Sequence, residues 1–136
     1  MKKVILDSSV IIKWFKSEKE QKIKEATNYL DDFTNGKIQI YLTIITSLEL
    51  LNSALYDLSL PQETWLLNIQ KFYQLDIPAL PIDDKIAHQI YSFGKKYNIS
   101  AYDAAFVVLA KNYGCNFITA DQKLVTKVNL PFVKPL

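Results

Sequence analysis

Between Ser100 and Asp121 the chain reads SAYDAAFVVLAKNYGCNFITAD, and no other stretch constrains the fold as tightly. The seven residues Ala104–Ala110 are all apolar, so a helix here is wrapped by protein on most sides rather than lying on a solvated face. Ser100 is a favourable N-cap, and Gly114 supplies a left-handed stop. Asn116–Thr119 then reads as a short buried strand. Two carboxylates punctuate the stretch: Asp103 in the first turn of the helix, and Asp121 just past the strand. A carboxylate at the rim of so apolar an element is costly unless something compensates its charge.

The same punctuation recurs upstream. Lys3-Val4-Ile5-Leu6 is an apolar strand ending in Asp7, and Ser8 and Ser9 can cap a short helix over Val10–Phe15. A polar helix is expected from about Glu18 to Thr34, supported by Glu18–Lys22 and Glu20–Lys24 pairs and stopped at Gly36. Ile38–Leu42 reads as a second strand. Thr46-Ser47-Leu48-Glu49 opens an apolar helix to about Leu58, and Pro61 begins another to about Leu75. Pro78 and Pro81 bracket an extended piece. Asp83 or Asp84 caps a helix whose Ile86, Ile90, Phe93 and Tyr97 form one stripe. Leu130-Pro131-Phe132-Val133 is the candidate for a last edge strand, where proline is tolerated. Short apolar strands alternating with helices predict an α/β sandwich on a parallel sheet. There is no repeat, linker or low-complexity tract, so residues 1–136 are read as one domain.

Composition excludes several classes. No apolar run approaches the ~18 residues that span a bilayer. MKKVILDSS has too little apolar length before Asp7 for a signal peptide, and a lone Cys115 fits a reducing cytoplasm. The 16 basic residues are all Lys, against 14 acids, for a net charge of +2. Without Arg there is no guanidinium fork for phosphate, so lysines or metal ions must carry any such charge.

Ligands in open parallel sheets sit beyond the carboxyl ends of the strands. Asp7 and Asp121 follow strand ends, while Glu49 and Asp103 lie at helix starts that open on the same edge. Four anions gathered there would repel one another, and a divalent cation with a preference for oxygen ligands, Mg²⁺ or Mn²⁺, relieves that repulsion. The chemistry expected is metal-assisted phosphodiester hydrolysis. Each acid also has a structural explanation. Thr46-x-x-Glu49 and Ser100-x-x-Asp103 match the capping box, Asp7 could end a strand, and Asp121 could cap the next turn. His88 and the pair Lys13 and Lys16 are assigned to solvated faces. Cys115 is read as a packed residue, and the Trp and Tyr side chains as core or interface.

Asp7-Ser8-Ser9, Glu49 in SLELLNSAL, Tyr102-Asp103-Ala104 and Thr119-Ala120-Asp121 together resemble the PIN-domain nucleases, in particular the VapC-type toxins of prokaryotic toxin–antitoxin pairs. The resemblance runs over nearly the whole chain. It implies a three-layer α/β/α sandwich and a Mg²⁺- or Mn²⁺-dependent endoribonuclease acting on single-stranded RNA. Asp7, Glu49, Asp103 and Asp121 stand at its four acidic positions, with Ser9 (or Ser8) and Thr119 as supporting hydroxyls. It further implies a homodimer and an antitoxin protein that covers the acidic cleft. The absence of Arg near that cleft departs from some relatives. Two other readings use the same residues: a phosphatase with Asp7 as nucleophile, disfavoured by Ser9 where a second Asp is usual, and a catalytically silent binding module.

Overall fold

The computed structural model describes residues 1–16 and 21–136. Glu18 and Glu20, the acids of the two expected pairs, lie outside them, and the helix expected from about Glu18 begins at Ile23, after Lys22 in the left-handed conformation at φ +59°. Strand β1 spans Lys2–Leu6, followed by helix α1 (Ser8–Ile11) and a 3-10 turn over Ile12–Trp14. Helix α2 runs Ile23–Thr34 and leads into β2 (Ile38–Tyr41). Helices α3 (Thr46–Tyr56), α4 (Gln62–Gln74), α5 (Asp84–Tyr97) and α6 (Ala101–Tyr113) precede β3 (Asn116–Thr119). Helix α7 (Gln122–Val128) and β4 (Val133–Pro135) close the chain.

The sheet is wholly parallel, in the order β2-β1-β3-β4. From β1 the chain crosses over to β2 on one side, then returns across four helices to place β3 on the other. The strand order therefore reverses between β1 and β3, and a crevice opens at the carboxyl ends of such a pair. Both strands are buried on both faces, which is why β1 reads as an unbroken apolar run rather than an alternating one. Ile5 and Phe117 join a core with α5, α6 and α7. Val4, Leu6 and Ile118 join a second core with α1, α2, Leu50 of α3 and Phe72 of α4. These are the two interfaces of a three-layer α/β/α sandwich.

Helix α6 is the most buried helix because it lies against β1 and β3. Phe106 stacks on Phe117 with ring centroids 4.9 Å apart and planes 8° from parallel. Truncating a phenylalanine so placed costs roughly 3–5 kcal/mol. Ser100 caps α6 by accepting from the Asp103 N–H at 3.1 Å, and Gly114 ends it at φ +68°. Asp83 caps α5 in the same way, at 2.8 Å from the Ile86 N–H. On the opposite face, Phe15 reaches the rings of Trp65 and Phe72, both at 6.5 Å, and so holds α4 to the body. No helix among the described residues is long and apolar enough to cross a membrane.

Four local expectations change. Ser8 and Ser9 are not the cap of α1: Asp7 takes that position through its backbone carbonyl, which accepts from Val10 and Ile11 N–H. The last strand begins at Val133, because Leu130–Val133 is a turn closed by the Val133 N–H on the Leu130 carbonyl at 3.1 Å. The piece between Pro78 and Pro81 pairs with the end of β2, Leu42 bridging Ala79 in parallel. Lys13 is 6% exposed rather than solvated, since the 3-10 turn packs its stem against the body.

Candidate active site

Asp7 leaves the carboxyl end of β1 and Asp121 follows the carboxyl end of β3, the two strands flanking the reversal. Hydroxyls tie these ends together. Ser9 Oγ and Thr119 Oγ1 each donate to Asp7 Oδ2 at 2.8 Å, and Ser8 Oγ approaches Oδ1 at 3.4 Å. Ser9 Oγ in turn accepts from the Ala120 N–H at 3.2 Å, and Thr119 Oγ1 from the Asp121 N–H at 3.1 Å. Thr119 is fully buried, so its hydroxyl has no solvent alternative. The Asp7 side chain makes no capping bond to α1. Its carboxylate is instead held from two segments more than 100 residues apart in sequence.

Glu49 and Asp103 enter from the first turns of α3 and α6. The expected capping box at Thr46 does not form. The Thr46 hydroxyl instead accepts from the Thr43 N–H and meets the Thr43 hydroxyl, both at 3.1 Å, inside the protein. This buried Thr43–Thr46 pair sets where α3 begins and leaves Glu49 without a capping role. Sequence reasoning passed over it, although the Thr-x-x-Thr spacing at a strand-to-helix junction was visible. Glu49 Oε1 is buried with no hydrogen-bond partner.

The acids feel one another's charge. Burial raises the Glu49 pKa, and the charges of Asp7 and Asp103 add to that; the Ser8 hydroxyl offsets part of it. Burial likewise raises Asp103, followed by the charges of Asp7 and Asp121, against the Ser100 hydroxyl. Asp103 thus feels both strand-end acids, and Asp7 is felt by both helix-start acids. Asp121 stands at the outer end: it is exposed, and Oδ1 caps α7 by accepting from the Leu124 N–H at 3.1 Å. The structural explanation holds for that one oxygen.

The acids converge without forming a finished cage. Among the described residues, no three His, Cys, Asp or Glu side chains stand close enough to hold a metal ion as they are. The donor set nevertheless fits a hard divalent cation: carboxylate oxygens, a bare buried oxygen on Glu49, and Glu49 and Asp103 carboxyls whose pKa values are raised by burial and then by neighbouring carboxylates. His88 is exposed and meets only its own helix at Asp84, and Cys115 is buried. Neither joins the rim.

The family model for the PIN domain matches residues 4–128, from β1 to the end of α7. The chain belongs to the PIN-domain family. Solved structures with this PIN fold include a toxin–antitoxin complex from Klebsiella pneumoniae, at TM-score 0.70 and 17% identity, covering 98% of this chain and 95% of that one. FitAcB from Neisseria gonorrhoeae aligns at TM-score 0.67 and 23% identity, covering 98% and 96%. FitAB bound to an IR36 DNA fragment aligns at TM-score 0.65 and 23% identity, covering 98% and 93%. At these identities the likeness establishes the PIN fold. No curated protein matches by sequence.

Proposed function

We propose that this PIN domain is a metal-dependent endoribonuclease and the toxin of a toxin–antitoxin pair. The observation that carries the reading is the acid rim at the sheet's reversal, with Glu49 Oε1 buried and unpaired beside the oriented carboxylate of Asp7. Asp7, Glu49, Asp103 and Asp121 would hold Mg²⁺ or Mn²⁺. A cation bound there supplies Lewis-acid polarisation of a phosphodiester and lowers the pKa of water. Ser9 and Thr119 fix Asp7 Oδ2 through two donated hydrogen bonds, the kind of outer support that keeps a ligand in one rotamer. Ser8 does the same, more weakly, for Oδ1. Ser9 occupies the place of the second Asp that such a phosphatase uses, which weighs against the phosphatase reading.

RNA as substrate comes from the family resemblance. A protein antitoxin comes from the toxin–antitoxin complex among the solved structures of the same fold. Homodimerisation also comes from the resemblance, and a cytoplasmic site of action from the lone Cys115, which fits a reducing compartment.

The experiment is a panel of single-stranded RNAs incubated with purified protein in Mg²⁺, in Mn²⁺ or in chelator. Internal cleavage that requires the cation, and that is absent from Asp7→Asn, is expected. Cleavage unaffected by chelator, or undiminished in Asp7→Asn, rejects the assignment. Co-expression with the product of a small adjacent reading frame tests the partner: co-purification with loss of nuclease activity is expected.

A further inference from the structure

We infer that the corner between α5 and α6 is where this enzyme holds the substrate strand next to the scissile phosphate, with Tyr102 and Tyr91 stacking on bases and Lys95 holding the backbone. The inference rests on the nuclease reading above and adds to it the residues that bind the RNA.

Asn98 ends α5 in the left-handed conformation, and only Ile99 separates it from Ser100, the cap of α6. The last turn of α5 is thereby brought beside the first turn of α6, where Tyr102 immediately precedes Asp103. Gly94 lets the two approach, since a Cβ there would stand 3.3 Å from the Ile99 carbonyl oxygen. A cleft of about 280 Å³ results, lined by Tyr91, Gly94, Lys95, Asn98, Ile99 and Ala101. Lys127, from α7, donates to the Asn98 carbonyl at 2.9 Å and adds a second positive charge to the corner.

The side chains suit a single-stranded polyanion. Tyr102 is 63% exposed and Tyr91 68% exposed, so neither ring serves the core. One exposed aromatic is ordinary. Tyr91 lines the cleft with Lys95 beside it, and Tyr102 stands exposed on the first turn of α6, one residue before Asp103; aromatic faces for bases and cations for phosphates are the combination that single-strand binders use. Lys95 Nζ lies 5.8 Å from the ring centroid of Tyr91, its neighbour in the cleft lining. In a chain with no Arg, these lysines answer how phosphates next to the cleaved bond are gripped.

The test measures binding of a fluorescent single-stranded RNA to protein carrying Asp7→Asn, so that cleavage does not interfere. Tyr102→Ala on that background is expected to weaken binding roughly 10-fold, with Tyr102→Trp restoring it. Lys95→Gln is expected to reduce the slope of log affinity against log salt by about 0.7, one phosphate contact on a single strand. The melting temperature, together with Mn²⁺ titration of Tyr102→Ala in the otherwise native protein, should be unchanged, which separates strand binding from damage to the acid rim. Native protein that cleaves RNA, together with Tyr102→Ala and Lys95→Gln that bind like the parent, overturns the corner and leaves the nuclease standing. Native protein that neither cleaves nor binds any RNA in Mg²⁺ or Mn²⁺ overturns both.

Discussion

The acid rim is built in two different ways. Its strand-end half, Asp7 and Asp121, is embedded in hydrogen bonds: Asp7 takes two hydroxyls at 2.8 Å, and Asp121 caps α7. Its helix-start half, Glu49 and Asp103, is embedded in repulsion, with both pKa values raised by burial and by neighbouring carboxylates. One half is satisfied by the fold, while the other is left in want of positive charge. A protein selected only for stability would have neutralised Glu49. Glu49 is half-buried, with one oxygen unpaired and its pKa raised by burial and neighbouring carboxylates, a strain that a bound cation would relieve.

Mutations at the two halves should therefore differ in kind. The largest effect belongs to Asp7→Asn, which keeps the shape and removes the charge that both other inner acids feel. Cleavage rate should fall on the order of 1,000-fold in a single-turnover assay. A fall of less than tenfold would mean that the two halves do not serve one cation. Next comes Thr119→Val, which is isosteric and leaves all four acids in place. Loss of an outer-shell hydroxyl typically costs about 10–100-fold in activity or metal affinity, readable as a higher Mn²⁺ requirement. An unaltered Mn²⁺ requirement would show that the hydroxyl network is only a strap between strands.

The helix-start half should respond in the opposite sense where stability is measured. Glu49→Gln removes a buried repelled charge, so the metal-free variant is expected to melt about 2–4 °C above the native protein, while gaining less from added Mn²⁺. A lower melting temperature would show that Glu49 already has a partner. The smallest effect is in the pH profile. Glu49 and Asp103 hold protons more tightly in the fold than at their ordinary values of 4.5 and 3.8. The folded state then binds more protons than the unfolded one as pH rises past those values. Their contribution, fully present below them, is lost as pH climbs through the raised folded values. Native minus Glu49→Gln stability, followed by denaturant melts without metal, should decline over that interval and then level off. A flat difference would remove the repulsion from the account.

Much of this molecule was legible in the chain. The helix from Ser100 to Gly114 and the strand Asn116–Thr119 appear where the residues put them, because a cap, a left-handed glycine and a run of apolar side chains are local signals. Signals that depend on partners misled. The sequence sets no acid one helical turn from Lys13, which points to a solvated face, yet Lys13 is buried in the fold. Thr46-x-x-Glu49 has the spacing of a capping box, but the Thr46 hydroxyl pairs with Thr43 instead.

By itself, then, the order of residues determined the alternation of elements, the placement of four acids at their ends, and the family. The strand order 2-1-3-4, the hydroxyls from Ser9 and Thr119 meeting on one oxygen of Asp7, and the bare Oε1 of Glu49 were decided in three dimensions. The reason is range. Propensity and capping act over a few residues, whereas charge repulsion and hydrogen-bond satisfaction act between whichever groups the packing of two cores brings together.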